Sequence, residues 1–268
     1  MITIAVLMTC YNRVSTTLDC LCSLFSQELP SDVHIDVFMV DDASPDKTGE
    51  KVNRVYPEVK VIKSAGNLYW SKGMRLAWDH ASAHLDYDFY LWLNDDVKLK
   101  AEAIKVLLAD YTVTKGVIVG SCSANEDSEH VSYGATIKPP TGRPEVGVKG
   151  MNGNLVLVPR DAYLRVGKIC NLYYHQYGDY DYGWMLRRRG GQYYSSSIIC
   201  GVCPEQPERY MHLAGRNLFA RLKLLNSPKG FSLHDAVLYS LRNRGIFRAM
   251  FTFAHIIFNV VLGREHNR

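Results

Sequence analysis

Tyr90-Leu91-Trp92-Leu93-Asn94-Asp95-Asp96-Val97 passes from four large apolar side chains directly into an amide and two adjacent carboxylates. An apolar run this short, bounded by polar residues, reads as a strand buried on both faces of a sheet. Its polar end raises a chemical question, because neighbouring carboxylates repel unless a positive charge sits beside them. A divalent cation held by oxygen ligands is the economical answer. If the chain stays extended, Asn94 and Asp96 face one way and Asp95 the other. One acid is then free for a metal and its neighbour for a sugar or ribose hydroxyl. The alternative is an ordinary strand end followed by a turn, where Asn and Asp are common.

Working outward, the same pattern recurs. Ile2–Met8 is an apolar strand followed by the polar turn Thr9–Arg13, and His34–Val40 is a strand that ends at Asp41-Asp42. Ser44-Pro45 suggests the cap and first residue of a short helix. Val59–Ile62 and Phe89–Leu93 complete four strands. Between them lie helical patterns, Ser15–Gln27 with Leu18, Leu21, Cys22 and Phe25 on one face, and Trp70, Met74, Ala77, Trp78 and Ala81 on another. A helix over Ala101–Tyr111 follows. Strands alternating with helices predict an α/β fold with a mostly parallel central sheet. Ligands bind such sheets beyond the carboxyl ends of the strands. Thr9–Arg13, Asp41-Asp42 and Asn94–Asp96 all fall there, so three segments deliver polar groups to one sheet edge. Further on, Val117–Ser121, Ser132–Ile137 and Leu155–Val158 read as strands, Lys138–Lys149 as a loop and Asp179–Arg189 as a helix.

With 268 residues and 47% hydrophobic composition, the chain can bury a substantial core. A net charge of +4, without basic runs interleaved with aromatics, argues against nucleic acid. Seven cysteines in a chain of this length read as reduced thiols of a cytosolic protein. Cys200-Gly-Val-Cys203 has metal-ligand spacing but no second pair, so two plain thiols are preferred to zinc. The start MITIAVLMTCYNR lacks the basic residues of a signal peptide and reads as the first strand.

Asp41-Asp42 has two readings, a helix start or a carboxylate that accepts a ligand N–H such as N3–H of uracil or thymine. Neither of the common glycine-rich phosphate loops is present, which leaves a carboxylate-held metal to neutralise any phosphates.

Taken in order, Thr9-Cys-Tyr-Asn-Arg13, Val40-Asp-Asp-Ala-Ser44, Gly66-Asn-Leu-Tyr-Trp-Ser-Lys-Gly73, Leu93-Asn-Asp-Asp96 and the segment Gly178–Gly190 (GDYDYGWMLRRRG) resemble the family 2 glycosyltransferases, whose nucleotide-sugar-binding fold is called GT-A. The resemblance runs from residue 2 to about residue 215 and implies a catalytic domain over 1–215. It implies that Thr9, Tyr11 and Arg13 line the nucleotide pocket and that Asp42 accepts from the pyrimidine. Asp95 would contact the donor, and Asp96 would hold Mn2+ or Mg2+ at the diphosphate. Asn94 replaces the first acid of the family's metal motif, as in branches that transfer rhamnosyl or galactofuranosyl units. Gly178 stands where the family has Glu, which moves the expected catalytic base to Asp179, with Asp181 as competitor. His212 resembles a late histidine that completes the metal site in some members. The implied activity is metal-dependent inverting transfer from a UDP- or dTDP-sugar to a saccharide or lipid-linked saccharide, in bacterial surface-polysaccharide synthesis. A nucleotidyltransferase acting on sugar phosphates and a catalytically silent sugar-binding relative are the alternatives.

The aromatic run Leu172–Tyr177 offers rings for an acceptor sugar or for ordinary packing. Beyond residue 215, Asn217–Leu225 and Leu233–Arg242 carry leucines at helical spacing among basic residues. Gly245–Leu262 is apolar but interrupted by Arg248, His255 and Asn259, and is short for a membrane span. The expectation for 216–268 is a helical extension at a membrane interface, against another subunit or on the catalytic domain. This places the protein in the cytoplasm, peripherally on the inner face of the cell membrane, with homo-oligomerisation as a further expectation.

Overall fold

A computed structural model describes residues 1–136, 138–148, 150–205, 213, 216–225, 227, 230 and 232–264. The chain runs β1 (Ile2–Cys10), α1 (Val14–Phe25), β2 (Val33–Asp41), α2 (Thr48–Val55), β3 (Lys60–Lys63), α3 (Tyr69–His84), β4 (Phe89–Leu93) and β5 (Lys98–Leu99). It continues through α4 (Ala103–Thr114), β6 (Val117–Ser123), β7 (Val131–Tyr133), β8 (Glu145–Val146), β9 (Leu155–Pro159), α5 (Arg160–Val166), α6 (Gly178–Arg188) and β10 (Tyr193–Val202). It closes with α7 (Leu218–Leu225), α8 (Leu233–Arg244) and α9 (Ile246–Leu262).

Alternation along the central strands builds two cores, one on each face of the sheet. Ile4, Val6 and Met8 of β1, with Phe89, Leu91 and Leu93 of β4, pack under α1 and α4. Ala5, Leu7, Tyr90 and Trp92 point the other way, onto Met74, Ala77 and Trp78 of α3 and Tyr182 of α6. Trp78 and Trp92 meet edge to face at 5.7 Å and are fully buried. Truncating either to Ala removes a side chain that costs about 3–5 kcal/mol to lose.

The sheet order among the described residues is β3-β2-β1-β4-β9-β6-β10-β5, with β7 on β6 and β8 on β10. It is a mixed sheet. β3, β2, β1 and β4 are parallel, whereas β9 lies antiparallel between β4 and β6. Cys10 pairs with Asp41, and Leu7 with Trp92. The carboxyl ends of β1, β2 and β4 therefore open on one edge. Antiparallel β9 starts where β4 stops, since Leu93 pairs with Leu155 and Asn94 N–H donates to Asn154 O at 2.9 Å. The turn before β9 is thereby added to the same edge.

Ser44 and Pro45 do not open α2, which begins at Thr48. Ser44 N–H donates to Asp41 Oδ1, and Ser44 Oγ accepts from Asn12 N–H. Asp46 is the capping acid instead, accepting from Thr48 N–H through one oxygen and from Val14 N–H through the other, both at 3.0 Å. One side chain thus ties the starts of α1 and α2. The strand expected over Ser132–Ile137 is shorter, at Val131–Tyr133, and the loop expected over Lys138–Lys149 contains β8. The seven cysteines are all unbridged.

The C-terminal helices have a small core of their own, with Leu225, Ala236, Ile256 and Val260. Two buried acids fasten α8 to the α/β body. Asp235 accepts from the N–H groups of Tyr174, His175 and Gln176 at 3.0–3.2 Å, and from His234 Nδ1 at 2.9 Å. Burial opposes its charge, yet the His234 contact and the three N–H groups hold the carboxyl below its ordinary range. Asp181 of α6 receives Arg242 through two nitrogens at 3.1 and 3.2 Å, Asn243 at 2.8 Å and the Tyr173 hydroxyl at 3.0 Å. The α8 segment is therefore packed on the α/β body through residues 173–181. No helix among the described residues is long and apolar enough to cross a membrane.

Candidate active site

The acids after β4 leave the extended conformation at once. Asn94 O accepts from Val97 N–H at 3.2 Å, closing a turn. Asp95 and Asp96 consequently do not point apart as an extended chain would require. Arg13 Nη1 reaches both, at 3.3 Å from Asp95 Oδ1 and 2.8 Å from Asp96 Oδ2. The positive charge that makes the acid pair tolerable in this structure is a guanidinium from the loop after β1. One cation against two carboxylates still leaves an excess of negative charge. Burial and the charge of Asp96 push the Asp95 carboxyl up to about 7, with Arg13 and Thr17 pulling the other way. Cys203 Sγ stands 3.7 Å from Asp96 Oδ1, and burial raises its thiol, so it is a protonated neighbour.

Asn94 faces a different set of partners. Its Oδ1 accepts from the Trp70 indole N–H at 2.6 Å, while its Nδ2 donates to Asn154 Oδ1 at 2.9 Å. A carboxylate could accept from Trp70 but could not donate to Asn154. The amide is therefore what joins α3, β4 and the turn before β9. Gly153 in that turn is pinned between the Trp70 ring and Asp179. A Cβ there would lie 2.5 Å from Trp70 and 3.1 Å from Asp179 Cβ, so only glycine fits.

Asp179 lies in the first turn of α6, where backbone N–H groups favour an anion. Gly153 N–H donates to Oδ2 and Tyr180 N–H to Oδ1, both at 2.8 Å. Burial outweighs these donors and pushes its carboxyl up to about 6. It borders a cavity of about 640 Å³ whose wall includes Trp70, Asn94 and Asn154 on the sheet side. The opposite wall comes from α8 and α9, through Tyr239, Arg244, Phe251 and His255. Asp181, two residues on, is only 2% exposed and carries the Arg242 pair described above. The helix thus sends one acid to the cavity and the other to the fold.

The remaining expected site residues sit around the carboxyl ends of β1 and β2. Tyr11 is half exposed on the loop after β1. Thr9 packs tightly on α3, where a Cβ at Gly73 would come within 2.4 Å of its Oγ1. Asp42 is buried and its oxygens already accept from Leu68 N–H, Tyr69 N–H and the Ser64 hydroxyl at 2.7–3.1 Å. Its carboxylate holds the start of α3. His212 lies outside the described residues. Among the described residues, no three His, Cys, Asp or Glu side chains gather as a metal cage. Asp95 and Asp96 do supply hard oxygen donors of the type Mg2+ and Mn2+ take, with the further oxygens of a diphosphate needed to complete a shell.

Sequence reading missed Trp70, Asn154, Arg244 and His255 as site residues. Met151-Asn-Gly-Asn154 was readable as a turn, but its place at the site depends on β9 running antiparallel.

An α/β body with polar groups gathered at the carboxyl ends of parallel strands defines a nucleotide-binding class, here with the GT-A fold. The chain belongs to glycosyl transferase family 2, whose family model matches residues 5–189. Comparison with curated proteins gave no significant match. Among solved structures it is similar to S. aureus TarS, at 12% identity and a TM-score of 0.60, covering 98% of this chain and 49% of that one. It thus spans about half the length of that TarS chain. A TarS fragment, 1-349, in complex with UDP-GlcNAc matches at 11% identity and a TM-score of 0.59, with coverages of 98% and 81%. The mannosyltransferase PcManGT from Pyrobaculum calidifontis, in complex with GDP-Man and Mn2+, matches at 18% identity and a TM-score of 0.52, with coverages of 98% and 76%.

Proposed function

We propose that this chain is a metal-dependent inverting glycosyltransferase that moves a sugar from a UDP- or dTDP-sugar to a saccharide or lipid-linked saccharide. Its setting is the assembly of a bacterial surface polysaccharide, in the cytoplasm at the inner face of the cell membrane. The observation that carries this reading is the position of Asp179. It borders the cavity, is held through both oxygens by backbone N–H groups, and shares that cavity with Asn94, the residue that precedes the Asp95–Asp96 pair. The reported complexes of the structural relatives with UDP-GlcNAc and with GDP-Man and Mn2+ support a nucleotide-sugar donor and a metal.

In the proposed reaction the acceptor hydroxyl enters from the cavity and gives its proton to the Asp179 carboxylate. Its oxygen forms a bond to the anomeric carbon as the bond from that carbon to the diphosphate oxygen breaks, and a single displacement inverts the configuration. Asp96, with His212, is assigned to hold Mn2+ or Mg2+, and Asp95 to contact the donor. The metal, when bound, supplies Lewis-acid stabilisation of the departing diphosphate. Arg13, which pairs with both acids here, is then available to the diphosphate. Thr9, Tyr11 and Asp42 are assigned to the nucleotide end, Asp42 through its hold on α3 as well as any contact with the base.

A thermal-shift series with UDP, dTDP, GDP and their sugars, with and without Mn2+, tests the donor assignment. Stabilisation by a pyrimidine nucleotide only when metal is added is the expected result. No shift with any nucleotide, with or without Mn2+, would refute it. Transfer of radiolabelled sugar by the parent but not by Asp179→Asn tests the base.

A further inference from the structure

α9 has two apolar faces, and the described residues cover only one. Ala249, Ile256 and Val260 are buried against the C-terminal core. On the opposite side Phe247, Met250, Phe251, Phe258, Val261 and Leu262 recur at helical spacing, and every one is exposed, Phe247 by 85%. Phe219 of α7, a helix tied to α9 through Arg221 and Val261 O at 3.1 Å, is 81% exposed. A helix apolar around its whole circumference is ordinarily buried, and a contiguous exposed patch of this kind marks an interaction surface.

The charge around the patch has one sign. Arg248 sits over the Phe251 ring at 5.8 Å and Arg264 over Phe258 at 5.7 Å. Between residues 216 and 264 the sequence has eight Lys and Arg against a single acid, a surplus larger than the +4 of the whole chain. That acid is Asp235, which is fully buried and committed to backbone N–H groups. A symmetric contact with a second copy would set this basic rim against itself, with no exposed acid among the described residues of 216–264 to balance it. A surface carrying fixed negative charge over an apolar layer has no such conflict.

We propose that the exposed face of α9, with Phe219 beside it, seats in the interfacial layer of an anionic phospholipid membrane. The helix lies along the surface and does not cross it. Phe251 belongs to the exposed face and also lines the cavity, where it stacks on His255 at 5.8 Å. The cavity that contains Asp179 therefore opens beside the docked face. An acceptor whose glycan enters the cavity while its lipid stays in the bilayer suits this geometry, a point that rests on the glycosyltransferase reading, whereas the docking itself does not.

The test is flotation of the purified full chain with vesicles of phosphatidylglycerol and phosphatidylcholine, and with phosphatidylcholine alone. Partition into anionic vesicles should exceed that into neutral ones by at least about tenfold and fall with added salt. The double variant F247E/F258E, which lies outside the cavity, should lose about a hundredfold in partition. Its melting temperature and UDP-induced shift should match the parent, and F219E on the other helix should show a smaller loss of the same kind. Absence of parent flotation with anionic vesicles, or equal flotation of F247E/F258E, overturns the proposal. So does a parent dimer in sedimentation velocity that the double variant dissociates, without vesicle binding by either. A parent that floats as expected yet shows no nucleotide-induced shift would sink the glycosyltransferase reading and leave the docking intact.

Discussion

Two acid pairs, Asp41–Asp42 and Asp95–Asp96, stand at the ends of the parallel strands β2 and β4, with β1 between them, and look alike in sequence. Their surroundings differ in kind. Asp41 accepts from Ser44 N–H and Gly49 N–H, at 2.9 and 3.0 Å, and Asp42 holds the start of α3. Apart from the Ser64 hydroxyl on Asp42, those partners are backbone donors fixed by the fold around the starts of α2 and α3. The second pair meets a side-chain cation, Arg13, on a loop. A guanidinium on a flexible stem can exchange for another cation, and one guanidinium does not balance two acids. Helix α6 separates two acids on another ground, since Asp181 is enclosed by Arg242 and Asn243 while Asp179, itself held by two backbone N–H groups, borders the cavity. An acid's oxygen partners together with its access to the cavity, more than its neighbours in sequence, separate scaffold from site.

The sharpest test of that contrast lies in α6. Asp179→Asn should lower kcat by about 10²–10⁴-fold with donor affinity nearly unchanged, measured by initial rates against donor concentration. Asp181→Asn should instead lower the melting temperature through loss of the Arg242 pair, a change worth about 3–5 kcal/mol in urea denaturation. Next in size, Asp41→Ala leaves the Ser44 and Gly49 N–H groups unsatisfied and should cost about 2–4 kcal/mol by the same measurement. Asp95→Asn should do the reverse for stability, because it removes a buried like charge. Its melting point should hold or rise, while metal-dependent donor binding weakens about tenfold. A fall as large as that of Asp41→Ala would mean that the two pairs are equivalent.

The smallest effect is in pH. Asp179 must be ionised to take a proton, and burial has raised its carboxyl to about 6. The rate should therefore be flat above pH 7 and fall with pH through about 6, approaching tenfold per unit below it. A profile flat down to pH 5 would remove Asp179 as the base.

The parallel half of the sheet was legible because strands buried on both faces are continuous apolar runs, and each ended in polar residues. β10 was not. Tyr193–Val202 carries three serines in its middle, where Ser196 Oγ accepts from Ser121 N–H at 2.8 Å and donates to Ile198 O at 2.7 Å. The pairing with β6 shifts register there. Polar residues satisfied inside a bulge look, in sequence, like a loop. The far wall of the cavity was hidden for another reason. Whether α8 packs on the catalytic body depends on Asp181 and Asp235 finding partners about 60 residues away in the chain, and periodicity alone says nothing about that.

Trp70 gives the protein an optical readout of its own. Its indole N–H is bound to Asn94, and its ring covers Gly153 on the cavity wall. Trp78 and Trp92 are sealed in the core, and Trp184 is partly exposed on the outer surface of α6. Any molecule that enters the cavity or moves the Asn94 turn changes the polarity around one fluorophore out of four, against a background the ligand does not touch. Intrinsic emission can thus follow acceptor entry in real time without a label, with Trp70→Phe as the silent control.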